Sequence, residues 1–129
     1  MSLRWTIDAR DRLVTTVAEG AVTRHDIEKL VAAVDEAGAH DYRKLFDGSR
    51  ADSSMSAEDM LAVGGMFRSF HARASMGALA LVLPASSAEN FGRLLGTLAA
   101  ADRPLRIFEK IAPARRWIRE QGKQQADMA

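Results

Sequence analysis

The stretch that most constrains the fold is "ALALVLP", residues 78–84, in which no residue is polar. A strand that is apolar on both faces must be covered on both sides, as the central strand of a parallel sheet is covered by helices. The run is too short to cross a bilayer as a helix. It therefore predicts an α/β protein with this strand near the middle of its sheet.

The rest of the chain alternates between strand and helix patterns. Leu3–Asp8 and Leu13–Ala18 alternate apolar and polar residues around a short turn, which predicts a β-hairpin ended by Gly20. Thr23 and Asp26 are spaced as a helix cap and its third residue, and Gly38 stops that helix. The further predicted elements are a strand "YRKLFD" ending at Asp47, a helix over 56–73, the strand 78–84, a helix over 86–101, a strand over 104–110 and a helix over 112–122 closed by Gly122.

The predicted element order is β-β-α-β-α-β-α-β-α, a mixed, mostly parallel five-stranded sheet with four helices. Strand–helix alternation with short connections implies right-handed crossovers, and the opening hairpin adds an antiparallel strand at or near an edge. The 129 residues suit one domain, which we assign to residues 1–122, with residues 123–129 as a frayed C-terminal tail.

Composition narrows the class of partner. The net charge of +1 gives no electrostatic reason to expect binding to nucleic acid or to a membrane surface. The absence of cysteine excludes disulfides and thiolate catalysis, and it fits a reducing compartment. The N-terminal "MSLRWTIDARDR" carries charges where a signal peptide needs an apolar run. We therefore expect a cytoplasmic protein without transmembrane segments, and no motif indicates a cofactor or metal.

Two stretches carry a resemblance to a known family. They are "YRKLFDGSRADSSMSAEDML", a strand-to-helix passage with an aspartate, and "RPLRIFEKIAPARRWI", a strand followed by an alanine-rich turn and a tryptophan-bearing helix. With the element order, they resemble the STAS-type fold of anti-sigma-factor antagonists, and more closely the SpoIIAA-like group of small bacterial proteins, which is loosely related to Sec14-type lipid carriers. The resemblance implies a non-enzymatic binding or regulatory domain.

The resemblance also implies a modification site. Anti-sigma-factor antagonists carry Asp-Ser-Ser or Asp-Ser-Thr in a loop after a core strand, and a partner kinase phosphorylates the second hydroxyl residue. Asp52-Ser53-Ser54 is similar, which makes Ser54 the expected acceptor. This chain departs from the pattern in having Met55 where the family has glycine, and in a shorter gap between Asp47 and Asp52.

The same stretch has a purely structural interpretation. Ser56 and Asp59 are spaced as an ordinary helix cap, worth about 1 kcal/mol. Asp47, Gly48 and Ser49 are residue types that favour turns. The hydroxyl residues between Asp47 and Ser56 therefore predict either an interaction loop or only a capped turn.

Apolar residues on the second predicted helix suggest an alternative function. Met60, Met66, Phe67 and Phe70 could line an adaptable pocket for a small apolar ligand, although such a stripe is also typical of plain core. Gly64-Gly65 in mid-helix needs compensation by a close approach of neighbouring structure, or marks a hinge. Small residues on the third predicted helix permit either packing on the sheet or a homodimer contact: Gly92, Gly96 and Ala100.

Three functional hypotheses follow. The first is a binding domain that acts through a protein partner, switched at Asp52-Ser53-Ser54. The second is a carrier or sensor of a small apolar ligand held between the sheet and the second and third predicted helices. The third is a small enzyme that pairs Asp47 with a histidine, which is the least favoured because one carboxylate is not a mechanism. The histidines are His25, His40 and His71.

Positive charges concentrate in the C-terminal part of the chain, where they form either a solvated face or a shallow anionic site. They are Arg103, Arg106, Lys110, Arg115, Arg116, Arg119 and Lys123.

Overall fold

The sheet has five strands in the order of the chain. A computed structural model describes residues 3–53, 56–73, 77–85 and 104–128. β1 pairs antiparallel with β2 at one edge, and every further pair is parallel. This arrangement confirms the predicted mixed, mostly parallel sheet and its antiparallel edge strand. The strands are β1 (Leu3–Asp8), β2 (Leu13–Val22), β3 (Arg43–Ser53), β4 (Leu79–Val82) and β5 (Leu105–Phe108).

Three helices lie within the described ranges. They are α1 (Arg24–Glu36), α2 (Ala57–Arg73) and α3 (Ile111–Met128). The helix predicted over 86–101, with the small residues proposed for a homodimer contact, lies outside the described residues, so the fourth helix stays a prediction.

Local sequence signals set the bounds of α1. The Thr23 hydroxyl accepts from the Asp26 backbone N–H, and the Asp26 carboxylate accepts from the Thr23 backbone N–H, so the predicted capping box is complete. Two such bonds satisfy N–H groups that have no partner within the helix. Gly38, with φ of 65°, follows the last turn in the left-handed conformation that favours glycine.

Helices cover both faces of the sheet. On one face, Ile27 and Val34 of α1 and Val63 of α2 are buried against the side chains of β1 and β2. On the other face, Ala114 and Ile118 of α3 pack on Leu45, Ala80 and Val82. All four residues of β4 are buried, as expected for a central strand covered on both sides.

Three predicted boundaries are wrong. β2 continues through Gly20 to Val22, and β3 continues past Asp47 to Ser53, because the two strands pair with each other along these added residues. α3 continues through Gly122 to Met128, so the residues assigned to a frayed tail are helical up to that point. Long-range pairing and packing override the local stop signals in each case.

Candidate functional site

Asp47 lies inside β3, where it holds a β-bulge. Val17 is the register partner of Asp47, but Glu19 is the partner of Arg50, so β3 contains one extra residue at this point. The Asp47 Oδ1 accepts from the Ser49 backbone N–H at 3.1 Å and from the Ser49 hydroxyl at 2.7 Å. Asp47 therefore stabilises the bulge, and the prediction that it ends the strand is wrong.

Gly48 brings the bulge close to the neighbouring strand. A Cβ atom at this buried position would lie 2.9 Å from the Val82 carbonyl oxygen and 3.2 Å from a Leu83 methyl. Real Cβ atoms rarely approach a backbone atom that closely, so only glycine fits without a shift of β4. The glycine of "DGS" is thus required for strand packing, where the sequence indicated a turn.

Beyond the bulge, β3 no longer pairs with β4. β4 pairs with Lys44–Asp47 only, whereas Arg50–Ser53 pair with Glu19–Val22 of β2. We call Arg50–Ser53 the β3 extension. The β3 extension therefore continues past the segment that pairs with β4, and it leads towards the start of α2.

The solvent-exposed side of the extension is charged. The Glu19 carboxylate lies 3.1 Å from an Arg4 guanidinium nitrogen and 3.9 Å from an Arg50 nitrogen. The Arg50 side chain is 80% exposed, so its contact with Glu19 contributes little to stability. Sequence analysis missed Glu19 and Arg50, because only the strand register brings them together.

The serine stretch follows the extension directly. Asp52 is exposed and is the register partner of Ala21, while Ser53 is the partner of Val22. The Ser56 hydroxyl accepts from the Asp59 backbone N–H at 3.1 Å, which confirms the predicted helix cap. Ser54, the predicted phosphate acceptor, lies outside the described residues between Ser53 and Ser56, so its role stays a prediction.

The start of α2 lies near the start of α1. Val22 and Ser53 are register partners, and α1 begins after the Thr23 cap, while α2 begins at Ala57. The amino termini of both helices therefore lie at the same end of the β2–β3 pair. A helix amino terminus carries partial positive charge, which favours anions nearby.

The predicted apolar pocket is only partly described. Met66 is half-buried in α2, and the side chains of Met60, Phe67 and Phe70 lie outside the described residues. The α2 residue that enters the described core is Val63, at 2% exposure. No described atom comes within 4 Å of a Cβ built at Gly65, so the predicted close approach is absent at this glycine.

The described histidines do not pair with Asp47. His40 Nε2 lies 2.6 Å from Asp35 Oδ1, just before the amino end of β3, whereas Asp47 bonds to Ser49 near the middle of that strand. His25 is exposed in the first turn of α1, and the His71 side chain lies outside the described residues. Within the described residues, no three potential metal ligands cluster together.

Four basic residues of the C-terminal region lie on the outer side of α3, whereas Arg106 is exposed on β5 and Lys110 is exposed just before α3. Their side chains are exposed, whereas Trp117 is half-buried and packs beside Phe108 with ring centroids 6.0 Å apart. Trp117 also packs on the buried residues of the sheet. Arg103 lies outside the described residues. The exposed residues are Arg115, Arg116, Arg119 and Lys123.

Comparison with known proteins shows the fold class. No family model and no curated protein matches this chain. It is similar to the crystal structure of an uncharacterised protein of the DUF3478 family with a SpoIIAA-like fold from Shewanella loihica PV-4. The two share 19% sequence identity with a TM-score of 0.59, over 91% of this chain and 93% of the other. The protein therefore has a SpoIIAA-like α/β fold, as the two sequence stretches predicted.

None of the helices in the described ranges combines the length and the apolar composition that crossing a bilayer requires.

Proposed function

We propose that this protein is a regulatory binding domain that acts without catalysis, through a protein partner contacted around the β3 extension and the start of α2. The observation that carries the proposal is the exposed Asp52 immediately before Ser53 and Ser54, at the end of the sheet where both helix amino termini lie. The SpoIIAA-like fold supports it, because the resemblance implies regulation by phosphorylation after this strand.

The electrostatics of this end suit a switch. A phosphate on Ser54 would add a charge of about −2 to the segment between β3 and α2, and helix amino termini favour negative charge nearby. The exposed cation nearest along the strand is Arg50, which a phosphate could recruit from its 3.9 Å contact with Glu19. Adding the phosphate would therefore change both the charge and the side-chain arrangement that a partner meets.

The test compares partner capture by the wild type, Ser54→Asp and Ser54→Ala from an extract of the source cell. We expect a captured protein whose retention differs between Ser54→Asp and Ser54→Ala. Ser69→Asp is the matched control, because Ser69 is exposed on α2 away from the extension and the charge change is the same. Equal capture by all four proteins would reject the switch.

A second candidate function is carriage of a small apolar ligand against the face that α1 and α2 cover. Thr16 favours it, because this residue is 3% exposed on that face and its hydroxyl has no hydrogen-bond partner among the described residues. A ligand with one polar group would satisfy the hydroxyl. Native mass spectrometry of gently purified protein tests this: added mass that is lost on denaturation supports a carrier, and bare protein argues against it.

A further inference from the structure

The outer edge of β1 is an unpaired strand edge. β1 occupies the end of the sheet and pairs with β2 on one side only. In the described part of the chain, no hydrogen bond reaches the backbone of Leu3–Asp8 from the other side. The strand contains no proline or bulge, which are devices that natural proteins use to block such edges. As far as the described residues extend, the backbone of this edge is therefore available to pair with a further strand.

The two faces of β1 differ in polarity. Leu3 is buried, and Trp5 and Ile7 are half-buried against the apolar clusters of α1 and β2. Arg4, Thr6 and Asp8 alternate with them and are exposed. A strand added at this edge must therefore present apolar side chains to one face and polar side chains to the other.

The sequence of β1 meets that requirement itself. If two copies pair antiparallel about a two-fold axis at Thr6, Trp5 lies opposite the partner's Ile7, and Arg4 lies opposite the partner's Asp8. Thr6 lies opposite the partner's Thr6. Three kinds of cross-strand pair are thus formed: an aromatic with a β-branched residue, two opposite charges, and two threonines. All three kinds are favourable.

We infer that the partner at this edge is a second copy of this chain, paired through β1 to make one sheet continuous across a homodimer. The two-fold symmetry makes each favourable pair occur twice, except the central threonine pair. The other edge strand, β5, has four residues, against the six of β1, and so offers a shorter edge for pairing. The inference does not depend on a partner protein or on Ser54.

The dimer is expected to be weak. Six residues of each β1 take part, whereas a standard stable interface uses about 20–30 residues a side. Dissociation constants in the micromolar range or above are expected, so dimerisation is measured as a function of concentration. Sedimentation equilibrium of the purified protein from about 1 μM to about 1 mM covers this range.

Thr6 provides the decisive variants. Its side chain is exposed and makes no hydrogen bond with any described residue, so a change there should leave the monomer fold intact. Thr6→Lys and Thr6→Glu each place like charges opposite each other at the two-fold axis, and each should raise the dissociation constant about tenfold. An equal mixture of the two should form heterodimers at least as readily as the wild type. Ser69→Lys is the control that adds the same charge elsewhere.

A cross-link gives a second readout. The chain has no cysteine, so Thr6→Cys introduces one thiol per copy. Opposed residues in an antiparallel pair lie within disulfide reach, so oxidation should link the Thr6→Cys variant into a dimer faster than the Ser69→Cys control. A wild type that stays monomeric to about 1 mM would overturn the inference, as would Thr6→Lys behaving like Ser69→Lys or equal cross-linking rates. Because only purified protein is used, failure here leaves the partner proposal untouched.

Discussion

Gly122, in the interior of α3, faces the guanidinium group of Arg43 on β3. A Cβ atom at Gly122 would lie 2.7 Å from the Arg43 Cζ. Arg43 is only 9% exposed, and it donates to the backbone carbonyls of Ile118, at 2.8 Å, and Asp11. Within the described residues it forms no salt bridge with a carboxylate. The glycine therefore provides the space in which a buried arginine ties α3 to the sheet and to the β1–β2 turn.

Gly122→Ala is expected to destabilise the protein, although alanine favours a helix interior over glycine. The methyl group would displace the guanidinium from its two carbonyl partners, and charge-assisted hydrogen bonds contribute about 1.5–3 kcal/mol each. After the gain in helix propensity of up to about 1 kcal/mol, we expect a net loss of about 1–3 kcal/mol. Urea denaturation measures the change.

The control for that prediction is the same substitution without the arginine. In an Arg43→Ala background, Gly122→Ala should become stabilising by about 0.5–1 kcal/mol, because the clash is gone and the helix propensity remains. A Gly122→Ala effect of the same sign and size in both backgrounds would show that Arg43 and Gly122 are not coupled.

Gly65→Ala is expected to stabilise the protein by about 0.5–1 kcal/mol. Gly65 also lies in a helix interior, but no described atom comes within 4 Å of its Cβ position. The substitution therefore gains helix propensity without a clash. Thermal unfolding should show a higher midpoint, and a lower midpoint would indicate that the backbone at Gly65 needs glycine, as a hinge would.

Gly48→Ala is expected to cost about 1–3 kcal/mol, because the new methyl group would overpack against β4. The nearest atom is the Val82 carbonyl oxygen at 2.9 Å, which cannot rotate away as a side chain could. Urea denaturation should show a lower midpoint, and amide exchange in β4 should become faster. Unchanged stability would mean that the bulge can move away from β4 at little cost.

Thr16→Val is expected to stabilise the protein by about 1 kcal/mol. The side chain is nearly the same shape, and the substitution removes a buried hydroxyl for which no described residue is a hydrogen-bond partner. Thr15→Val is the matched control, because Thr15 is half-buried and points to the opposite face of the sheet. If Thr16→Val lowers the unfolding midpoint more than Thr15→Val does, the hydroxyl has a partner in solution.

Local patterns were sufficient to predict much of the fold. The apolar run of β4, the alternation of β1 and the Thr23–Asp26 capping box depend on neighbours a few residues away, so they can be read from the chain. The SpoIIAA-like fold followed from the order of these elements and two short stretches. The cap at Ser56 was predictable for the same reason, since its bond partner is three residues along the chain.

The tertiary structure decided what depends on residues distant in sequence. Gly20 and Asp47 are local stop signals, but the pairing of β2 with β3 carries both strands past them. Local rules predict that Gly122 ends a helix. The contacts of Arg43 with α3 explain why Gly122 lies inside that helix, but Arg43 and Ile118 are 75 residues apart in sequence, so no local pattern shows them. A single sequence shows which residues prefer to stop an element. Only the folded chain shows whether a partner strand or a buried side chain outweighs that preference.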